Sequence, residues 1–318
     1  MVSYIFRRII RAVVLLFLIS LIIFFTMRLL PGDPIYMIMS QGQIANATYE
    51  QIQAIRAQFG LDKPLLEQYI FWLGGVFHGN FGTSIVYHSS PLTILARTIP
   101  VTLNISIPAF IISLLIGIPA GIVCAVRRAT WVDTVVTVLA NLGVTIPVFW
   151  LGTMLIYVFA LQLHWLPVEG YTPPLKDLGK NISQLVMPVF CQAIFPVSAI
   201  ARQTRSSMLE VMRQDYVRTA WSKGLDEKLV VMTHALKNSL IPVVILSGLF
   251  FAGILGGSVL IETVFNVRGA GLAMVSAVFA RDYPVVQAFT LIIAIFTLFI
   301  NLIVDISYGW LDPRIRYG

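Results

Sequence analysis

The feature that most constrains this chain is a series of six long stretches from which charged residues are almost absent. They run from Ile9 to Leu30, Ile99 to Val126, Thr134 to Leu163, Asn181 to Ala201, Asn238 to Ile261 and Pro284 to Val304. Roughly 20 helical residues cross about 30 Å of hydrocarbon, and lipid offers no partner to a backbone N–H or C=O. Each stretch is therefore predicted to be a membrane-spanning helix. The composition agrees, with 58% of the 318 residues apolar and 12% charged, where a soluble domain has roughly 25% charged. Only the first stretch contains charges, Arg11 and Arg28, and both lie near its ends, where long side chains reach the headgroups. Arg7, Arg8 and Arg11 ahead of an apolar run also fit a secretory signal. The run is long and no small-residue cleavage site follows it, so an uncleaved first helix is expected.

Six spans place both termini on one side, and the cations decide which side. Fourteen of the 22 Lys and Arg residues fall in one set of connecting segments: Arg7, Arg8, Arg11, Arg127, Arg128, Arg202, Arg205, Arg213, Arg218, Lys223, Lys228, Lys237, Arg314 and Arg316. The opposite set holds Arg28, Arg56, Lys63, Arg97, Lys176, Lys180, Arg268 and Arg281, spread over more residues. The richer set is expected to be cytoplasmic, with both termini inside. The net charge of +7 thus belongs to membrane topology and does not point to nucleic acid. Cys124 and Cys191 each lie within an apolar run and read as small buried hydrophobes, not as a disulfide.

Two segments outside the lipid carry structure of their own. Between Pro31 and Thr98, Thr48 and Gln51 form a capping box, Gly60 supplies a helix stop, and Pro64 opens a second helix with Leu65, Tyr69 and Trp72 on one face. This predicts a small folded cap that either meets a delivery protein or simply covers the outer mouth and packs on the first helix. Between Gln203 and Lys237 the chain is charged yet periodic: Met208, Met212, Tyr216 and Ala220 recur every four residues. Gly224 breaks the pattern, and a second amphipathic run from Asp226 through Val230 and His234 leads into the fifth span. A helix, a turn and a helix re-entering the membrane are expected. Such a hairpin either docks into a partner's groove or lies solvated on the membrane surface.

Several chemistries lack their residues. Spans two to six contain no Asp, Glu, Lys, Arg or His within the limits given, which weakens an ion-coupled carrier, since ion sites and proton relays are built from such groups. Gly179-Lys180 is preceded by Pro174 where a phosphate-cradling loop needs its first glycine. His78, His88, His164 and His234 are scattered, with no metal-ligand spacing. No catalytic, cofactor-binding or metal-ligating residues are assigned, and no enzymatic activity is expected of this chain. Prolines at 100, 108, 119, 147, 188, 196 and 242 interrupt the spans, and Asn104, Asn141, Thr145, Gln192 and the pair Gly256-Gly257 accompany them. These residues either line a polar translocation pathway or hold helices together.

In order along the chain stand Leu29-Leu30-Pro31-Gly32-Asp33-Pro34, Phe59-Gly60-Leu61-Asp62-Lys63-Pro64, Phe81-Gly82-Thr83-Ser84 and Trp165-Leu166-Pro167. They are followed by Arg205-Ser206-Ser207-Met208, Asp215-Tyr216-Val217-Arg218-Thr219-Ala220, Lys223-Gly224-Leu225 and His234-Ala235-Leu236-Lys237-Asn238. The series closes with Gly256-Gly257-Ser258, Glu262-Thr263-Val264-Phe265, Arg281-Asp282-Tyr283-Pro284-Val285 and Asp312-Pro313-Arg314-Ile315-Arg316. Through these stretches the chain resembles, over nearly its whole length, the permease subunits of the dipeptide, oligopeptide and nickel branch of ABC importers.

The resemblance implies an all-α fold of type I ABC importer class with six transmembrane helices. It divides the chain into an N-terminal helix (1–30), an extracytoplasmic cap (31–98), a core (99–309) with a cytoplasmic coupling loop (203–237), and a tail (310–318). Asp215, Tyr216, Arg218, Thr219, Ala220, Lys223 and Gly224 are the implied contacts to an ATPase. Of the wider family's Glu-Ala-Ala-x-x-x-Gly pattern, Ala220 and Gly224 match, while Arg218 and Thr219 replace the Glu and the first Ala. Asn80 stands where an acid is common, and Val267-Arg268 where Trp-Pro is common. The implied partners are a second, similar permease, two ATP-binding subunits that hold ATP and Mg, and an extracytoplasmic solute-binding protein. The implied location is the bacterial inner membrane. Di- or oligopeptides are the implied solutes, nickel or metal chelates the alternative, and an ion-coupled carrier the more remote one.

Overall fold

The structure is a computed structural model that describes residues 2–29, 48–58, 62–256 and 258–311. Twelve helical elements follow, and no strand occurs among the described residues. The first is α1 (Val2–Leu29), and α2 (Tyr49–Gln58) and α3 (Leu65–Phe77) form the cap. Next come α4 (Pro91–Val126), α5 (Trp131–Thr145), α6 (Val148–Leu155, continued as a π-turn over Ile156–Gln162) and α7 (Leu178–Val211). The rest are α8 (Asp215–Ser222), α9 (Glu227–Ala252, with a π segment at Val230–Ala235), α10 (Val259–Val264), α11 (Ala270–Phe279) and α12 (Tyr283–Leu311).

Five helices are long and apolar enough to cross a membrane, and the bent pair α5–α6 makes a sixth. Two expectations need correction. The stretch from Thr134 to Leu163 is not one straight helix but two segments meeting at 102°. Ile146 is extended ahead of Pro147, because a residue before proline is driven out of the helical region. The fifth span ends at Ala252, not Ile261, and a turn through Gly253–Gly256 separates it from α10. Pro100, Pro108, Pro119, Pro188, Pro196 and Pro242 all lie inside helices that continue past them.

α7 is the central rod. Its 34 residues span about 50 Å at 1.5 Å per residue, and α4, α5 and α9 pack along it. The closest approach is at Gly117 and Gly121 of α4, one helical turn apart. A β-carbon on Gly121 would lie 2.6 Å from the Ala201 carbonyl oxygen and 2.5 Å from Thr204 Cβ; on Gly117, 2.9 Å from the Val197 oxygen. Small residues at this spacing let helix backbones approach in lipid, where no hydrophobic effect drives them together.

α3, in the segment expected to form the cap, packs on α1. Tyr69 is buried against Phe24 and Phe25, its hydroxyl sharing a 2.8 Å hydrogen bond with Ser20, and Arg28 Nε donates to Gln68 Oε1 at 2.9 Å. The capping box is present: Gln51 N donates to Thr48 Oγ1, and Thr48 N to Gln51 Oε1. Leu65, expected on the same face as Tyr69, is exposed instead. Gly60 and the motif stretches 30–34, 59–61, 257 and 312–316 lie outside the described residues.

A Gly121→Ala substitution is expected to destabilise the chain by about 1–3 kcal/mol through overpacking against the α7 backbone. Gly74→Ala, with no described residue within 4 Å of the added carbon, is expected to be neutral or to stabilise by about 0.5–1 kcal/mol. Denaturation of the two variants in mixed micelles separates them.

Candidate functional site

The hairpin after α7 is built around a small apolar seal. α7 ends at Val211, and the turn over Met212–Gln214 interrupts the four-residue periodicity that the sequence carries on to Ala220. Met208 and Ala220 therefore do not share one continuous helix. α8 begins at Asp215, whose negative charge in the first turn complements the helix dipole. Its inner face places Val217 and Ala220 against Val230 of α9, with Val211 alongside, and all but Val211 are buried. Tyr216 Oη accepts from Asn238 Nδ2 at 2.8 Å, which ties α8 to the start of the membrane-spanning part of α9.

The other face is open. Asp215, Arg218, Thr219, Trp221 and Lys223 are exposed, and Arg218 reaches Asp215 only at 4.0 Å, a loose contact between two solvated side chains. At the end of the helix Lys223 N donates to the Thr219 carbonyl and Gly224 N to that of Trp221, with Gly224 at φ +79°. Nothing lies within 4 Å of where a Gly224 β-carbon would be, so this position demands glycine for its backbone, not for space. The turn closes as Asp226 Oδ2 accepts from Lys228 N.

The base of this hairpin is clamped. Arg205 on α7 forms a two-pronged ion pair with Asp133 on α5, Nε to Oδ1 at 2.7 Å and Nη2 to Oδ2 at 2.8 Å. The Asp133 side chain is 8% exposed and that of Arg205 31%. Ala129 N and Thr137 Oγ1 also donate to Asp133. Ala125, Met208, Val231 and Ala235 form a buried apolar cluster that joins α4, α7 and α9. Sequence pattern did not single out Asp133; the signal was an acid at the mouth of an otherwise uncharged run.

Inside the bundle, Gln192 is the one pathway candidate among the described residues that lines a cavity, and Ser106, not one of those candidates, joins it there. Gln192 Nε2 donates to Ser106 Oγ at 2.7 Å, and Ser106 donates to the Ile254 carbonyl. Gln192 Oε1 is buried and has no partner among the described residues. Both side chains line a cavity of about 400 Å³ whose other walls include Phe110, Phe195 and Phe250. Asn104 Oδ1 accepts from Asn181 Nδ2 at 3.0 Å, away from that cavity's lining. Asn141 and Thr145 lie on the exposed side of α5, where Thr145 Oγ1 bonds the Asn141 carbonyl. Gly256 sits in the turn after α9, and Gly257 is outside the described residues.

At the opposite end from the hairpin, two fully buried carboxylates organise the turns. Glu262 accepts from Thr102 Oγ1 (2.6 Å), Ser258 Oγ (2.7 Å) and Leu272 N (2.8 Å), and Thr102 Oγ1 accepts from Ala270 N. Asp282 accepts from Ser84 Oγ and from the backbone N–H groups of Ile85 and Val86. These two acids join chain segments 160 and 198 residues apart. Both belong to motif stretches, but the uncharged spans stop one residue short of Glu262, so scanning them for ionisable groups overlooks it.

The chain matches the family described as "Binding-protein-dependent transport system inner membrane component" over residues 117–317. Residues 1–106 match the corresponding N-terminal family. A putative peptide transport system permease of Brucella abortus is 40% identical over 317 residues, covering all of both chains. The oligopeptide transport system permease AppB of Bacillus subtilis is 38% identical over all of both chains. The di/tripeptide transport system permease DppB of Pseudomonas aeruginosa is 36% identical over 100% of this chain and 99% of its own. Among solved structures, a chain of the MetNI methionine ABC transporter in inward-facing conformations aligns with a TM-score of 0.56. It is 16% identical and covers 70% of this chain and 97% of that one, a likeness of fold.

Arg205→Met is expected to leave Asp133 buried without its cation and to lower stability by on the order of 3 kcal/mol. Replacing both members, Asp133→Leu with Arg205→Met, is expected to recover most of that loss. Equilibrium unfolding of the three variants in mixed micelles measures it.

Proposed function

The chain belongs to the family of binding-protein-dependent transport system inner membrane components, and from that premise we propose that it conducts di- or oligopeptides through an ABC importer. The peptide assignment follows the relatives, which carry peptide-transport names over their full length. ATP and Mg belong to two separate ATP-binding subunits, a second similar permease completes the path, and an extracytoplasmic binding protein delivers the solute. The hairpin end of the bundle faces the cytoplasm, as the distribution of Lys and Arg indicates.

The observation that carries the docking part of this reading is the two-faced character of α8. Its inner face is sealed by Val217, Ala220 and Val230, while its outer face presents Asp215, Arg218, Thr219, Trp221 and Lys223 to solvent. A short amphipathic helix that hides its apolar side in its own chain leaves its polar side for a partner's groove. Because Tyr216 holds Asn238 and Arg205 clamps Asp133, a push on α8 is passed to α9, α7 and α5 together. The Ser106–Gln192 cavity lies midway along the same rod and is the proposed stretch of the translocation path. ATP-driven closure of the partner subunits would then shift the spans between two access states.

Arg218→Glu reverses a charge on the exposed face without touching the seal. It is expected to leave the chain folded and paired with the second permease, while the ATP-binding subunits are lost on purification in mild detergent and peptide uptake falls. Retention of coupled ATPase and uptake in this variant, and in one with Gly224→Val, would remove α8 from the dock.

A further inference from the structure

A second cavity, of about 610 Å³, opens at the cap end of the bundle, between the start of α4 and the start of α11. Its wall carries Arg97 and Arg268, both exposed, together with Thr93, Thr98, Asn266 and Ser276. Among the described residues no acidic side chain lines it. Among the described residues neither arginine has an ion-pair or hydrogen-bond partner. The carboxylates nearby are already engaged: Glu169 accepts from Asn266 Nδ2 at 2.7 Å, and Glu262 is held by Thr102, Ser258 and Leu272 N. Gly269 forms part of the floor, and a β-carbon there would meet the Glu262 carboxyl at 2.5 Å. The cavity therefore sits directly on the buried Glu262 network.

Arg97 and Arg268 stand on one concave wall with their guanidinium donors unused among the described residues, so an anion entering there gains two cations at once. The planar fork of arginine fits a carboxylate by two parallel hydrogen bonds. A volume within the roughly 300–1,000 Å³ range of small-molecule sites suits an entire small solute, and the surrounding hydroxyl and amide groups suit a peptide backbone. We infer that this cavity is an entry subsite that takes the C-terminal carboxylate of the incoming peptide on Arg97 and Arg268. The inference rests on the peptide reading above and adds a site to it. An acidic side chain of the delivery protein offers the same chemistry from another source, and the test separates the two.

The assembled importer, in phosphatidylcholine nanodiscs and without its delivery protein, is probed by saturation-transfer NMR with dialanine and with dialanine amide. The free acid is expected to give a signal that the amide lowers by about tenfold or more, the size of one lost charge-assisted pair. Arg97→Gln with Arg268→Gln is expected to abolish the signal, and Arg97→Lys with Arg268→Lys to keep part of it. Equal signals from acid and amide overturn the site even without a variant. So does a wild-type signal surviving in the double Gln variant, including the case in which that variant instead loses salt-sensitive capture of the delivery protein. Uptake of labelled dialanine by the complete wild-type importer in proteoliposomes is measured alongside. No peptide uptake there means the peptide reading itself has failed, whereas uptake with equal acid and amide signals means that only the subsite has.

Discussion

The close approach of α4 and α7 is the contact on which the remaining packing depends. In lipid the apolar faces of two helices gain nothing by leaving solvent for each other, so close packing of small residues and internal hydrogen bonds must hold them. Gly117 and Gly121 bring α4 onto the Val197 and Ala201 carbonyls. With that distance set, Ser106 on α4 and Gln192 on α7 come within 2.7 Å, and Asn104 reaches Asn181. α5 adds to the same rod at Gly143, where a β-carbon would collide with Ser198 and Ile194. One helix thereby carries three polar stations along its length: Asn181, Gln192 and Arg205.

Those stations divide the molecule into two ends with different logic. At the cap end, buried carboxylates receive only neutral donors, and they pin short turns: Asp282 holds the Ser84–Val86 turn and Glu262 holds the start of α11. At the hairpin end, a carboxylate meets a cation, and the pair Asp133–Arg205 locks α5 to α7 just where α8 departs. A rod fixed by glycine contacts and gripped near one end by an ion pair has the stiffness that the proposed coupling needs. This is the mechanical requirement for a subunit that couples ATP-driven motion to access from either side of the membrane.

Much of this architecture was legible in the sequence, because hydrocarbon leaves few options: uncharged runs of sufficient length gave the helices, and Gly224 marked the hairpin turn. The capping box at Thr48 and Gln51 and the breaks around Pro64 were legible for the same local reasons. What escaped was non-local. Pro147 reads in the sequence as one more membrane proline, yet α5 and α6 meet there at 102°, while the helices holding Pro100 and Pro188 continue past them. The run to Ile261 concealed a turn because Gly253–Gly256 are apolar or small and leave hydropathy unchanged. Asn141 and Thr145 share the composition of Gln192, and helix phase places them on the exposed face of this subunit, away from its own cavity. The family motifs at Ser84 and Asp282 are separated by most of the chain, and only the fold reveals them as partners.

In the proposed mechanism the Ser106–Gln192 cavity lies on the solute path, and its access follows the nucleotide state felt by α8. Phe195 lines that cavity and is half exposed, so a cysteine there, with Cys124 and Cys191 replaced by serine, reports access directly. In the assembled importer, its rate of modification by a membrane-impermeant thiol reagent is measured from each side, with ATP-locked and nucleotide-free partners. The reactive side is expected to change with nucleotide in the wild type, and in membranes carrying Arg218→Glu, measured without purification, to stay the same whatever the nucleotide. Modification at the same rate from the same side in every state, with transport intact, would contradict it.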